Sequence, residues 1–353
     1  MTYVQKQIIE GTAAIEFGKQ VAIEGYYVLT SDNSTNGYFY RRQSNGGWSQ
    51  INTFTMPAST ASFGNALSIG NEYFVSGDPG FDSFAGRAGI YAISDPSILI
   101  QTLAPSGLAT GDNFGSAIVI NDNYIFVGAP NSDTNRGDVY LYIKEASATW
   151  TAYSGNPITS GSRATNSYFG GAVAINENTL IIGAEGDNNK TGAVYIFELN
   201  RETSLWEETQ KIFASDGVEN DQFGESLSSS GNYFVAGASL AESAAGDINA
   251  GAAYVYKRGG EWYEVDKLEG TDESSYNGNH FGTSVCINGN YIIIGSPGAR
   301  GGQGVADIFY KKRRWNHFKK LVTRGRGDTF SNGEFGYSVS ISHSFAVASA
   351  PKM

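Results

Sequence analysis

The chain has 353 residues, room for one large repeat domain or two to three ordinary ones, and it carries 45 glycines against eight prolines. Tyr and Phe supply nearly all of the 13% aromatic content while charged residues make up only 17%, a balance that favours short strands and tight turns. A net charge of −11 sets the surface as a whole against nucleic acid, and no apolar run reaches the ~18 residues of a membrane helix.

Met1-Thr2-Tyr3-Val4 lacks the basic and apolar regions of a signal peptide, so the chain is either made without one or is a mature fragment. Residues 3–9 then read as an outer strand, patterned like residues 206–212. From residue 17 the sequence repeats. Phe-Gly recurs seven times, at Phe17-Gly18, Phe63-Gly64, Phe114-Gly115, Phe169-Gly170, Phe223-Gly224, Phe281-Gly282 and Phe335-Gly336, with spacings of 46, 51, 55, 54, 58 and 54 residues. A period of roughly 50 residues suits four strands and their turns, one blade of a propeller.

Each unit runs through the same elements. Phe-Gly opens an alternating first strand such as Ser116-Ala117-Ile118-Val119-Ile120. A short polar turn, Asn121-Asp122-Asn123, leads to a second strand, Tyr124-Ile125-Phe126-Val127-Gly128-Ala129-Pro130, apolar throughout and ending in small residues. Residues 180–184, 233–238 and 291–297 match it. A strand apolar on both faces must be covered on both, which places it between neighbouring blades. After a variable loop comes a third strand opened by glycine, Gly192-Ala193-Val194-Tyr195-Ile196-Phe197 or Gly251-Ala252-Ala253-Tyr254-Val255-Tyr256. The fourth begins with Trp, as in residues 206–212 and 262–268, and is rich in Lys and Glu that discourage edge-to-edge pairing. An acidic linker, for example residues 216–221, returns to the next Phe-Gly.

The expected fold is therefore all-β: a single seven-bladed propeller of four-stranded antiparallel blades over residues 1–353. The seventh unit has a first strand at 337–341 and a second at 345–350, and then the sequence stops. Residues 3–9 would close that blade as its fourth strand. One strand stays unaccounted for, so either the blade has three strands or the chain is a piece of a longer protein.

The succession Phe-Gly, Gly-Ala-Pro, Gly-x-Val-Tyr-x-Phe, Trp and Lys-Leu resembles the FG-GAP repeat, shared by integrin α-subunit heads and, in the variant nearest this pattern, by large bacterial surface proteins. The resemblance covers nearly the whole chain. It implies the fold, and more loosely a non-catalytic cell-surface or extracellular module for recognition or adhesion that binds a protein or glycan and forms part of a longer protein or assembly. A lectin-like multivalent sugar binder is the alternative, with a polysaccharide-acting enzyme behind it. Integrin-type repeats carry calcium in the hairpin between the first two strands. Here residues 121–123, 176–178, 231–232 and 289–290 are too short to supply the roughly six to eight oxygens that calcium needs.

Candidate contacts lie in the loops between second and third strands, at 31–36, 78–86, 131–136, 185–191, 239–250 and 298–303, since loops on a rigid scaffold commonly carry function. The residues singled out are Asp78, Asp82, Asn131, Asp133, Asp187, Asn189, Asp247 and Arg300. Two loops space oxygens at alternate positions, as calcium loops begin: Asn131, Asp133 and Asn135, and Glu185, Asp187 and Asn189. Calcium is the one cofactor they suggest, set against ordinary Asx-rich turns. Lys311, Lys312, Arg313 and Arg314 form a basic run on the outer hairpin of the sixth blade, a polyanion site or a charged edge. Arg-Gly-Asp at 136–138 uses the glycine that opens a third strand and reads as structural, while the copy at 326–328 lies in a linker.

Catalysis finds little support. His280, His317 and His343 show no metal-ligand spacing, and neither a nucleophile elbow nor a phosphate loop is present. Asp112, Asp221 and Glu334 precede Phe-Gly, where they suit turn caps. The single cysteine, Cys286, excludes an internal disulfide and reads as a small buried hydrophobe.

Overall fold

A computed structural model describes residues 7–9, 17–32, 35–60, 62–146, 149–243, 246–271, 277–322, 332–343 and 345–352. Six four-stranded antiparallel sheets follow one another, each with its strands side by side in chain order. The first comprises Val21–Glu24, Tyr27–Ser31, Gly37–Arg42 and Trp48–Phe54. The sixth comprises Ser284–Asn288, Tyr291–Ser296, Val305–Lys311 and Trp315–Leu321. A last sheet has two strands, Val339–Ser342 and Phe345–Ala348. First strands of successive sheets touch in series, and Val339–Ser342 touches Val21–Glu24, so the inner strands form a closed ring. The chain is a β-propeller.

Burial follows the sequence pattern. Phe74, Val75, Phe126, Val127, Leu180, Ile181, Phe234, Val235, Ile292 and Ile293, all on second strands, are completely buried between sheets. Near the end of these strands the blades approach too closely for any side chain. A Cβ on Gly77, Gly128, Gly183, Gly237 or Gly295 would stand 2.0 Å or less from the carbonyl oxygen of Gly115, Gly170, Gly224, Gly282 or Gly336 of the next blade. This close approach explains the Gly of Gly-Ala-Pro and the Gly of Phe-Gly together. Nearer the axis, serine hydroxyls join the inner strands. Ser338, Ser340 and Ser342 accept the N–H groups of Val21, Ile23 and Gly25 at 3.1, 3.2 and 3.1 Å, as Ser228 and Ser230 do for Ile287 and Gly289. Cys286 lies in this layer, its sulfur accepting the Ile341 N–H at 3.4 Å, and burial pushes its thiol pKa up.

The outer layer also repeats. The Trp of one blade stands edge-on to the aromatic residue that opens the second strand of the preceding blade: Tyr73–Trp150, Tyr124–Trp206 and Tyr233–Trp315, with ring centroids 6.0, 5.6 and 6.0 Å apart. A cation from the later blade covers the same ring, Lys144 on Tyr73 and Lys311 on Tyr233. Phe345 and Trp48, 5.6 Å apart, with Arg42 over Phe345, carry this arrangement across the junction between the last sheet and the first.

The expectation of seven four-stranded blades requires correction: the described residues form six, and the seventh unit is a two-stranded sheet. The reason is length. Residues 349–353 follow the second strand, whereas third strands elsewhere take six to eight residues. Most of the outer strand expected at residues 3–9 lies outside the described residues, which begin at Gln7.

Candidate recognition face

In four blades the loop between second and third strands takes one shape. Two consecutive residues are left-handed: Asp82 and Ser83, Asp133 and Thr134, Asn188 and Asn189, Arg300 and Gly301. The next residue, Phe84, Asn135, Lys190 or Gly302, also has positive φ. Its carbonyl accepts the N–H of the residue preceding Phe-Gly in the following blade: Asn113, Tyr168, Gln222 or Glu334, at 2.8, 3.0, 2.8 and 2.9 Å. In the longer loop of the fifth blade His280 donates likewise to Asn249, at 3.1 Å. Asn, Asp and Gly accept left-handed backbone at least cost. The oxygen-rich spacing of these loops thus follows from a turn that locks each blade to the next.

The candidate residues divide by exposure. Asp82, Asp133, Asn189 and Arg300 are exposed at the turn tips, beside Phe84 at 57% and, in the fifth loop, Ile248 at 61%. Asn131 and Asp247 are half-buried, and Asp247 accepts a hydrogen bond from the Ser243 hydroxyl at 2.8 Å. Asp78 does not reach the surface: it is 0% exposed, paired with Arg87 at 3.1 Å and bonded by the Thr60 hydroxyl at 2.5 Å. Asp187 is buried as well, held by Tyr195 Oη at 2.5 Å and Lys211 Nζ at 2.9 Å. These two carboxylates serve the fold.

The two candidate calcium loops do not fit the ion. Asp133 faces the guanidinium groups of Arg136 and Arg163 at 3.8 and 3.3 Å, and Asn135 donates its amide to Asn166 at 2.9 Å. Asp187 is committed to Lys211 and Tyr195. Glu185 turns against Gly171, where a Cβ would meet its Oε2 at 2.4 Å. Among the described residues, no three His, Cys, Asp or Glu side chains gather as a metal site.

Sequence reasoning missed Glu225. It follows Phe223-Gly224, and its Oε1 accepts the Ser239 N–H at 2.7 Å. Burial pushes its pKa up to about 7, with the charge of Glu185, one blade away, adding to the rise. Glu185 is pushed up to about 7 by burial, and its Oε2 is sealed without a hydrogen-bond partner among the described residues. The signal was the repeat itself. Glu185 stands where other blades have Pro79, Pro130 and Pro297, and Glu225 where they have Asn65, Ser116 and Thr283. Since the folded chain holds these protons near neutrality and the unfolded chain releases them near 4.5, folding takes up protons, and stability rises as pH falls from 8 towards 5. Each pKa unit is worth about 1.4 kcal/mol, so Glu225→Gln should remove on the order of 2 kcal/mol of the difference between pH 5 and pH 8. Thermal unfolding across that range checks it, and a mutant slope equal to the wild-type slope would refute the assignment.

The basic run splits in the same way. Lys312, Arg313 and Arg314 are exposed at the hairpin tip. Lys311 lies inward, its ammonium 3.7 Å from the Tyr233 ring centroid. His317 bonds Asp307 at 2.9 Å, and Lys320 the Thr271 carbonyl at 2.9 Å. The Arg-Gly-Asp at 136–138 is structural: Asp138 accepts Ser132 Oγ and Arg163 Nη1, both at 2.6 Å, and Gly137 packs on Phe169. The copy at 326–328 lies outside the described residues. Asp112 and Asp221 close their linker turns by accepting the N–H groups of Ala109 and Val218 at 2.7 and 2.8 Å.

Comparison with known proteins agrees with this architecture. Over the whole ring the fold is similar to the crystal structure of the RRP9 WD40 repeats, with a TM-score of 0.63 and 11% identity across 97% of this chain and 89% of that one, a likeness of fold alone. The FG-GAP repeat family matches residues 99–142, 156–197 and 206–256. Human integrin alpha-11 is 31% identical over 160 residues, 40% of this chain and 13% of that protein. Bovine integrin alpha-2 is 27% identical over 190 residues, 47% of this chain and 16% of that protein. The chain is thus similar to the FG-GAP repeat family over three of its blades, and it spans less than a fifth of the length of these relatives. No described helix is long and apolar enough to cross a membrane.

Proposed function

We propose that this propeller is a non-catalytic recognition or adhesion module of a cell surface, binding a protein ligand through the loops between second and third strands. One observation carries the reading: four loops of identical left-handed shape, locked to the next blade through backbone, hold short polar or charged tips into solvent. A rigid ring that varies only its tips suits recognition, because little ordering cost falls on binding. Phe84 and Ile248 add the apolar anchors typical of protein interfaces. Similarity to integrin α chains favours adhesion over catalysis.

The test is an array of extracellular proteins and glycans probed with and without EDTA. A protein ligand retained in EDTA is expected. The variant Asp82→Asn, Asp133→Asn, Asn189→Gly, Arg300→Gly keeps left-handed backbone accessible while removing the tips, and should bind that ligand at least about tenfold more weakly, the effect of losing roughly 1.4 kcal/mol. Unchanged affinity would overturn the assignment of the face.

A second reading, polyanion binding, is favoured by Lys312, Arg313 and Arg314 at one exposed tip of a chain with net charge −11. Binding confined to sulfated glycans, lost in salt and abolished by Lys312→Ala, Arg313→Ala, Arg314→Ala, would select it.

A further inference from the structure

The first blade departs from its repeat at the hairpins opposite the loop face. One backbone bond aligns these hairpins in all six four-stranded blades. A residue near the end of the third strand donates its N–H to the tip between the first and second strands. The pairs are Arg42–Tyr26, Ile93–Glu72, Lys144–Asn123, Leu199–Asn178, Arg258–Asn232 and Lys311–Asn290, at 2.9 to 3.0 Å. The other tips are Asn or Glu, whereas Tyr26 is an aromatic ring 61% exposed.

The aligned cations differ as well. Elsewhere the preceding blade engages them through oxygen. Lys144 meets Glu72 at 2.5 Å, Arg258 meets Glu198 and Thr179 Oγ1 at 2.7 Å each, and Lys311 bonds the Tyr233 hydroxyl. Arg42 meets Phe345, which offers no oxygen, with its guanidinium carbon 4.6 Å from the ring centroid. Its Nε is buried without a hydrogen-bond partner. Arg41 is exposed, and its guanidinium lies 6.0 Å from the Tyr27 ring. Neither guanidinium has a carboxylate partner among the described residues, in a chain of net charge −11.

These departures meet at one place. Tyr26, Tyr27, Arg41, Arg42, Gln43 and Ser44 line a cleft of about 340 Å³, a size suited to a small ligand. Its wall is fixed by backbone. Gln43 donates its N–H to Gly47 at 2.7 Å, Gly46 returns one to Gln43 at 2.9 Å, and the Gln43 amide bonds the Arg41 carbonyl at 3.1 Å.

We infer that this cleft binds an anionic sugar, a single pyranose carrying a carboxylate, sulfate or phosphate. The oxyanion takes the exposed fork of Arg41, with the charge of Arg42 behind it, since a guanidinium pairs such groups through two parallel hydrogen bonds. The exposed face of Tyr26 covers the apolar C–H side of the ring. The Gln43 amide oxygen and the Ser44 hydroxyl serve the sugar hydroxyls. Two cations and a cleft of this volume suit one charged ring rather than a polyanion or a protein face. The site lies away from the second-to-third-strand loops and does not depend on their role.

The experiment titrates the full chain with glucuronate, glucose 6-sulfate and glucose 6-phosphate, followed by the NMR signals of the arginine side-chain N–H groups. Glucose and inorganic sulfate are the controls. The expected result is saturable binding of at least one anionic sugar that shifts the Arg41 signal, with glucose inert and inorganic sulfate weaker. Which of the three binds identifies the acidic group. Arg41→Met, an exposed change that should leave Tm unaltered, should weaken binding at least about tenfold. Tyr26→Ser should weaken it roughly three- to tenfold. The triple change Lys312→Ala, Arg313→Ala, Arg314→Ala should leave it as it was, which separates this site from the basic hairpin tip. No binding of any of the three sugars would overturn the inference, as would equal binding of glucose or full affinity in Arg41→Met. Inorganic sulfate bound as tightly as the sugars would overturn the sugar and leave an ion site.

Discussion

Alanine at Gly183 will destabilise the propeller more than any surface change, by at least about 3 kcal/mol, beyond ordinary overpacking because both contact surfaces are backbone. The new Cβ would stand 1.9 Å from the Gly224 carbonyl oxygen and 3.3 Å from the Ala172 Cβ. Gly224 cannot yield, since its own Cβ position is 2.7 Å from the Ala193 carbonyl oxygen. Relief therefore means separating two blades, and a closed ring spreads that separation to its other junctions. A fall in Tm of about 4 °C or more is expected for a chain of 353 residues. Gly231→Ala is the control. It sits in a hairpin at φ 56° with nothing within 4 Å of the added carbon, so only the backbone conformation resists, at about 1 kcal/mol. Equal Tm values for the two variants would contradict the close approach of the blades.

Arg87→Met is the second large effect. Asp78 is fully buried, and Arg87 is its only cationic partner among the described residues, at 3.1 Å. The guanidinium also bonds the Pro57 carbonyl at 2.7 Å and stacks over Phe81 at 3.6 Å. Removing it leaves a carboxylate in the core with only Thr60 to serve it, a situation that costs about 3–5 kcal/mol. The double variant Asp78→Val, Arg87→Met should recover most of that loss, because the penalty belongs to the unpaired charge. Lys144→Met, which removes the exposed pair with Glu72, should cost no more than about 1 kcal/mol. Denaturant unfolding of the four proteins measures all three differences, and a double variant no more stable than Arg87→Met would show that packing, not charge, is at stake.

Much of this structure was legible in the sequence because the repeat averages over local ambiguity. Phe-Gly, the apolar second strand and the Trp each mark a fixed place in a blade, so one unit read correctly gives the others. The blade count was misjudged at the seventh unit, where period alone cannot supply strands that residues 349–353 are too few to form. The site was less legible. Asp78 and Asp187 look like loop oxygens in sequence, but their partners Arg87 and Lys211 arrive from other strands, and that pairing buries them. Alternation at Asn131, Asp133 and Asn135 suggested calcium, whereas the left-handed turn that needs those residue types disperses their side chains among Arg136, Arg163 and Asn166. Glu225 became conspicuous only when aligned against the other residues that follow Phe-Gly, since its raised pKa arises from burial and from Glu185 in the preceding blade.

The claim that the loop face is the recognition surface is tested most directly by amide-exchange footprinting of the chain with and without the protein ligand selected on the array. Protection at residues 81–84, 131–136, 186–191 and 298–303, with none at the opposite hairpins 121–123, 177–178, 231–232 and 289–290, is the predicted result. Protection confined to those opposite hairpins, or to the outer strands, would contradict it.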